Sequence, residues 1–241
     1  LAVWQIAAMA LAAVYPHGEL LLASPVNVLL RLGQLAVTAA FWRTVAWSAI
    51  HIFGGFLLAT VLAVALAALA AWKTWFRGLM APLVAGIKAV PVASFIVIAL
   101  LWLSSRRISA FIAFLMVLPV LYANALQGIR GADRQLLEMA RVFRLSGLRR
   151  VRCIILPSLA PYLKSACHVA LGLCWKAGVA AEVMAVANRS VGGMLYDAKV
   201  YLEISDLFAW TVLLVAVSIL FEKAFLWLLD LCVNRAIRWE G

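Results

Sequence analysis

From Val45 to Trp72 the chain runs for 28 residues with one titratable side chain, His51. A bilayer core needs about 20 mostly apolar residues per helix, so this run is long enough to cross one. Five more such runs are present. The first, Leu1 to about Val14, is expected to be truncated at its start. The others extend from about Leu79 to Leu103 with one charge, Lys88, and from Ile108 to Ile129 with none. The fifth, about Leu159 to Val186, carries Lys164, His168, Lys176 and Glu182; the last, about Leu207 to Val233, carries Glu222, Lys223 and Asp230 near its end. The runs are continuous, not alternating, which favours helices over a barrel because a helix satisfies every backbone group internally. Composition closes the soluble alternative: apolar residues make up 67%, charged residues 13%, and the mean hydropathy is +1.05. Too little polar side chain is left to cover a water-facing surface. The expected fold is all-α and integral to a membrane, with about six transmembrane helices in a single domain spanning residues 1–241.

The net charge of +11 is distributed as topology requires. Between Gly128 and Arg152 lie Arg130, Arg134, Arg141, Arg144, Arg149, Arg150 and Arg152 against Asp133 and Glu138. With six spans this loop shares a side with Lys73, Arg77, Arg235 and Arg238. The other side has Arg31, Arg43, Arg106, Arg107, Arg189 and Lys199. The excess of basic residues predicts that the 128–152 loop is cytoplasmic, and no nucleic-acid partner is needed to explain it. Cys153, Cys167, Cys174 and Cys232 have no metal-ligand spacing; at least three lie in apolar context, and they read as buried free thiols. His51 and His168 read as hydrogen-bonded packing residues rather than ligands. Trp4, Trp42, Trp47, Trp72, Trp75, Trp102, Trp227 and Trp239 lie mostly near span ends and read as interfacial anchors. Gly55, Ala59, Ala63, Ala67 and Ala71 recur every fourth residue, a stripe that lets helix backbones approach closely.

Within the basic loop, Leu136, Leu137, Ala140 and Phe143 fall on one helical stripe while Arg134, Glu138, Arg141 and Arg144 lie off it. An amphipathic helix of this kind can lie on lipid, cover its own bundle or dock into another protein's groove. Amphipathicity does not choose among these. Spacing adds information: Glu138-Met139-Ala140-Arg141 is followed by Leu145-Ser146-Gly147 and then by Ile154-Ile155-Leu156-Pro157, nineteen positions after Glu138.

That order resembles the EAA loop, about 128–157 in this chain, of binding-protein-dependent ABC importer permeases. Met139 stands where the motif has its second Ala, and Arg144 where it has a turn Gly. The likeness extends along the chain: Ser24-Pro25, Trp47-Ser48, Pro91-Val92-Ala93-Ser94 with Leu101-Trp102, Asn124-Ala125-Leu126-Gln127-Gly128, Trp175-Lys176-Ala177-Gly178 with Ala181-Glu182, Ser190-Val191-Gly192-Gly193, and Asp206-Leu207-Phe208-Ala209 resemble the nitrate/sulfonate/taurine branch. The resemblance implies a multi-pass subunit of a bacterial inner membrane, paired with a second permease copy as a homodimer, with a heterodimer left open. It further implies two ATP-binding cassette subunits inside and a solute-binding protein outside. ATP and its Mg²⁺ would then belong to the partner, with no cofactor in this chain. The loop would be a coupling helix, with Leu137, Glu138, Ala140, Arg141, Phe143, Ser146, Gly147 and Pro157 as the residues facing or shaping the ATPase contact.

The sequence carries no Gly-x4-Gly-Lys-Ser/Thr phosphate loop, no Gly-x-Ser-x-Gly elbow and no His-Glu-x-x-His pair, so a catalytic role is not expected. A charge at mid-bilayer costs about 2.5–3.5 kcal/mol on insertion scales, which makes Lys88, Lys176 and Glu182 candidates for a translocation path attractive to a small anionic solute. Pairing with another helix, or snorkelling of the lysines, is the other reading of the same residues. Lys176 and Glu182 are separated by about 240° on one helix and are not expected to neutralise each other. The rival function is a secondary transporter or channel that runs on an ion gradient without an ATPase.

Overall fold

The computed structural model describes residues 2–14 and 22–238. Leu1 and Trp239, and the side chains of Cys232, Arg235 and Arg238, lie outside what is described. All regular structure among the described residues is helical. In chain order the helices are α1 Ala2–Val14, α2 Pro25–Ala36, α3 Ala39–Trp72, α4 Thr74–Ala89, α5 Val92–Ala99, α6 Ile108–Arg130, α7 Arg134–Val142, α8 Gly147–Arg150, α9 Leu156–Met184, α10 Val191–Val200 and α11 Ile204–Arg238. A π-helical turn, Val151–Ile155, joins α8 to α9 without a break.

Among the described residues, four helical stretches are long and apolar enough to span a bilayer: α3, α6, the continuous stretch from Gly147 to Met184, and α11. One of the expected runs is broken. The run from Leu79 to Leu103 is two helices, α4 and α5, meeting at 98°. Pro91 explains the break, since it has no N–H to continue the ladder and pushes Val90 out of the α region; Val90 is extended at φ −81°, ψ 131°. Counted as one bent span, the pair brings the total to five. The run expected as span one is described as the apolar helix α1, Ala2–Val14.

Helix α6 is the centre of the bundle, flanked closely by α3 and α9. Ile52, Phe56, Ala59, Ala63 and Ala67 of α3 are fully buried against Ala113, Val117, Leu121 and Ala125 of α6. The small-residue stripe therefore does pack, except at its end, where Ala70 is buried and Ala71 is exposed. Each four-residue step over-rotates by about 40°, so a strict i+4 stripe drifts off its face within four steps. At the crossing, a Cβ on Gly55 would lie 2.2 Å from the Ala110 carbonyl oxygen. On the other flank, one on Gly128 would lie 3.1 Å from Leu159 Cα. Glycine is what lets these backbones meet.

Helix α5 caps the end of α6 and α9 remote from the basic loop, where Ile96 and Ala99 pack with Ile108, Ile112, Ala177 and Ala181. Helix α11 lies on the outside of α9, tied by Lys164–Asp230 at 2.7 Å and His168–Glu222 at 2.6 Å. An unexpected element, α2, begins at an N-cap where Ser24 Oγ accepts from Asn27 N–H at 3.2 Å. Its Arg31 forms a two-pronged ion pair with Asp206 of α11, one prong being Nη2 to Oδ2 at 3.0 Å. That hydrogen bond holds the guanidinium above its ordinary pKa in spite of partial desolvation.

Candidate functional site

The basic loop is a compact helical hairpin standing at one end of the bundle. Asp133 caps α7 by accepting from Gln135 N–H at 2.8 Å, and Ser146 caps α8 by accepting from Arg149 N–H at 3.4 Å. Between them Arg144 sits at φ 50°. The Arg144 N–H donates to the Arg141 carbonyl at 3.0 Å, and the Leu145 N–H to the Ala140 carbonyl at 2.9 Å. This is a Schellman closure with arginine in the left-handed position that glycine usually fills. The turn therefore stays where the family motif has its Gly, and Gly147, which has no positive φ, opens α8 instead.

The hairpin has its own small core of Leu137, Ala140, Leu145, Ile154 and Ala132, with Ala140 fully buried. This rearranges the expected contact face. Leu137 and Ala140 point into the hairpin and Phe143, 72% exposed, points out. Leu136, Met139 and Val142 are exposed beside it, spaced three apart on α7. Glu138 and Arg141 are exposed too, and Pro157 is half-buried in the first turn of α9. The π turn, Val151–Ile155, ends two residues before this proline, which cannot supply an N–H to the helical ladder.

At the opposite end, Glu182 is fully buried. Its Oε2 accepts from Ser48 Oγ at 2.8 Å and from Gly192 N–H at 3.1 Å. Ser48 Oγ in turn accepts from Val191 N–H at 2.9 Å. Ser190 closes the same turn, donating to the Ala187 carbonyl at 2.7 Å and accepting from Gly193 N–H at 2.9 Å. One carboxylate thus joins α3, α9 and the first turn of α10. A Cβ on Gly192 would fall 2.3 Å from Glu182 Cβ, which is why that position is glycine. Among the described residues, Glu182 Oε1 and Ser109 Oγ are buried without a hydrogen-bond partner. In this conformation Glu182 ties three helices together.

Lys88 and Lys176 are exposed, and among the described residues neither is in an ion pair. As the helical angle required, Lys176 and Glu182 do not meet. His51 Nδ1 bonds the Trp47 carbonyl at 2.8 Å, and its ring stacks on Trp47 at 4.1 Å between centroids. His168 has the partner Glu222. Cys167 and Cys174 are buried as expected, whereas Cys153 is exposed rather than buried. Among the described residues no cluster could hold a metal ion.

In the sequence Ser48, Ser190 and Glu182 stand out only as parts of separate family-like strings; their signal is a run of small hydroxyl and glycine residues next to a buried acid. Ser109 gives no signal at all, since a lone serine at a helix start belongs to no pattern.

Known proteins similar to this chain are transport components. The bicarbonate transport system permease protein CmpB of Synechococcus elongatus is 25% identical over 189 residues, 78% of this chain and 68% of that protein. SsuC of Bacillus subtilis, named as an aliphatic sulfonates transport permease, is 27% identical over 222 residues, 91% of this chain and 78% of its own length. The protein of the same name in Escherichia coli is 28% identical over 203 residues, covering 84% and 75%. The family model for the binding-protein-dependent transport system inner membrane component matches residues 59–238, from the middle of α3 through the hairpin to α11. The chain therefore belongs to that family of multi-pass membrane transport permeases.

Proposed function

We propose that this chain is the non-catalytic permease of an ABC importer for a small anionic solute. It pairs with a second copy and is driven by a separate ATPase that grips the 131–157 hairpin on the cytoplasmic side. ATP and Mg²⁺ are bound by that partner, and an extracytoplasmic binding protein delivers the solute. The relatives named for bicarbonate and aliphatic sulfonates support the substrate class, since both are small oxyanions.

The observation that carries the coupling reading is the split of α7 into two apolar sides. One, Leu137 with Ala140, is used up inside the hairpin. The other, Leu136, Met139, Val142 and Phe143, is exposed next to Glu138 and Arg141. An apolar face rimmed by charge at a bundle end fits a groove in another protein. Met139, the odd residue of the motif, belongs to this exposed side, where a flexible thioether is tolerated well.

The test is copurification of the tagged chain with its ATPase, and ATP-driven uptake into proteoliposomes, for wild type and for Phe143→Asp with Met139→Asp. The double variant should lose the ATPase and uptake together while the permease itself remains folded. A variant that keeps both, or gradient-driven flux by the chain alone, would remove the coupling role.

A further inference from the structure

We infer that the end of the bundle remote from the hairpin holds an oxyanion-receiving vestibule built by Arg43, Arg106 and Arg189 around Trp47. The inference rests on the transport reading above and adds a binding site to it. Two cavities adjoin there, of about 930 and 390 Å³. Trp47 and Arg189 line both; Arg106, Ser105 and Asn188 line the larger, and Arg43 lines the smaller.

Three features single this place out. The first is uncompensated charge. Among the described residues no carboxylate lines either cavity, and none of the three arginines is in an ion pair with a described residue. Arg31, at the same end, has found Asp206. Guanidiniums gathered round one concavity raise its potential together and concentrate anions inside it. Their planar forks match the oxygens of a carboxylate, bicarbonate or sulfonate.

The second feature is stored backbone strain at the rim. Val186 and Arg189 adopt left-handed φ of 47° and 62°, a conformation disfavoured for a residue with a Cβ. For a β-branched valine it is a true outlier. At Val186 that conformation closes α9 as a Schellman cap, the Val186 N–H donating to the Val183 carbonyl at 3.3 Å and the Ala187 N–H to the Glu182 carbonyl at 3.0 Å. The Glu182–Ser48–Ser190 ties hold the turn beside it. Ser48 adjoins Trp47 and Ser190 adjoins Arg189, so the buried knot sets the two residues common to both cavities.

The third feature is the mixture of surfaces. Val186 and Met194 lie on the larger cavity beside Ser104 and Asn188. Polar donors for a charged head sit next to apolar wall for a short tail. The volume exceeds that of a bare small oxyanion, so the site receives a partly hydrated anion weakly and reversibly, as an entry chamber must.

The experiment uses the full chain, purified with its ATPase, in nanodiscs and proteoliposomes of neutral lipid. Sodium ethanesulfonate and sodium bicarbonate are titrated against tryptophan emission, with Trp47→Phe assigning the signal and glycerol as a neutral control. Wild type should give a saturable change with both anions. The triple variant Arg43→Gln/Arg106→Gln/Arg189→Gln should weaken binding by at least about tenfold, about 1.4 kcal/mol, because it removes the charged hydrogen bonds to the anion. The corresponding triple lysine variant, which keeps the charge, should retain part of it. The gap between wild type and the glutamine variant should narrow from about 20 to about 500 mM potassium gluconate as the screening length shortens. Equal titration and equal uptake by wild type and the glutamine variant would overturn the vestibule. So would unchanged anion binding with a loss of uptake only when a binding protein delivers the solute, which would make the arginines a docking rim. If no ATPase accompanies the wild-type chain, the coupling reading fails, while the titration still decides the vestibule.

Discussion

Gly54 and Gly55 are neighbours in α3, yet they face different worlds. A Cβ on Gly54 meets nothing within 4 Å, while one on Gly55 would lie 2.2 Å from the Ala110 carbonyl oxygen and 3.0 Å from its carbonyl carbon. Those atoms are backbone of α6 and cannot rotate away. Ordinary contact at 3.4 Å therefore demands that the two helices part by about 1.2 Å at their crossing. Overpacking of this kind costs about 1–3 kcal/mol, because separated helices lose dispersion contacts along their length. Replacing Gly by Ala also favours the helix by roughly 0.5–1 kcal/mol. Both substitutions share that gain, so their difference isolates the clash. Gly54→Ala should equal or exceed wild type, and Gly55→Ala should fall below Gly54→Ala by about 1–3 kcal/mol. The measurement is unfolding of the purified chain in mixed micelles by titration with dodecyl sulfate, followed by tryptophan emission. Indistinguishable curves for the two variants would mean that α3 and α6 do not cross at Gly55.

Three further outcomes follow from other parts of the fold. Arg144→Gly relieves the left-handed strain in the hairpin turn, about 1 kcal/mol, and should slow proteolytic nicking between α7 and α8 roughly fivefold; unchanged or faster nicking would contradict the Schellman geometry. Glu182→Leu removes the acceptor of Ser48 Oγ–H and Gly192 N–H and should destabilise by about 2–4 kcal/mol, since each buried orphan costs about 1–3 kcal/mol. Glu182→Gln keeps an oxygen acceptor there and should lose less than about 1 kcal/mol; the same micelle unfolding reads both, and equal losses would show that the knot is not held by these bonds.

The spans were legible because hydrocarbon imposes one requirement, long apolar runs, that can be counted in any sequence. The break within one of them was not, because length and hydropathy do not register a kink. Pro91 was visible, but whether a proline in an apolar run bends a helix or ends it depends on what packs around it. Here α5 turns aside to lie on Ile108, Ile112 and Ala177, contacts made by residues distant in sequence. The hairpin shows the same division. Its boundaries followed from the Glu138-to-Pro157 spacing, while the inward face did not. Leu137 and Ala140 share a stripe with Phe143, yet Ile154 and Ala132 close over only the first two. A lone acid in a span is expensive, which is why Glu182 pointed towards a pathway. In the fold its cost is offset by Ser48 and Gly192, partners 134 and 10 residues away, which no helical wheel brings together.

The two ends of the molecule are joined by few elements, and α9 is the one that carries residues of both. With α8 and the π turn it runs unbroken from Gly147 to Met184, 38 residues and so about 57 Å. The hairpin core grips its start through Ile154, and the Glu182 knot holds its finish. A rigid rod of this length turned by a few degrees at the hairpin shifts its far end by several ångströms, and that end carries the strained turn with Val186 and Arg189. Close contact of Gly128 with Leu159 and Tyr162 places the fulcrum near the hairpin, where a short input arm gives a long output arm. On the proposed coupling, force applied to Phe143 would therefore reach the arginine-lined mouth with no intermediate rearrangement of α9. A second distortion would be needed only if the π turn at Val151–Ile155 yielded first. Cysteine pairs that staple Val151 to Ile155 should then leave ATP-driven uptake intact if α9 moves as a rod, and abolish it if the π turn is the hinge.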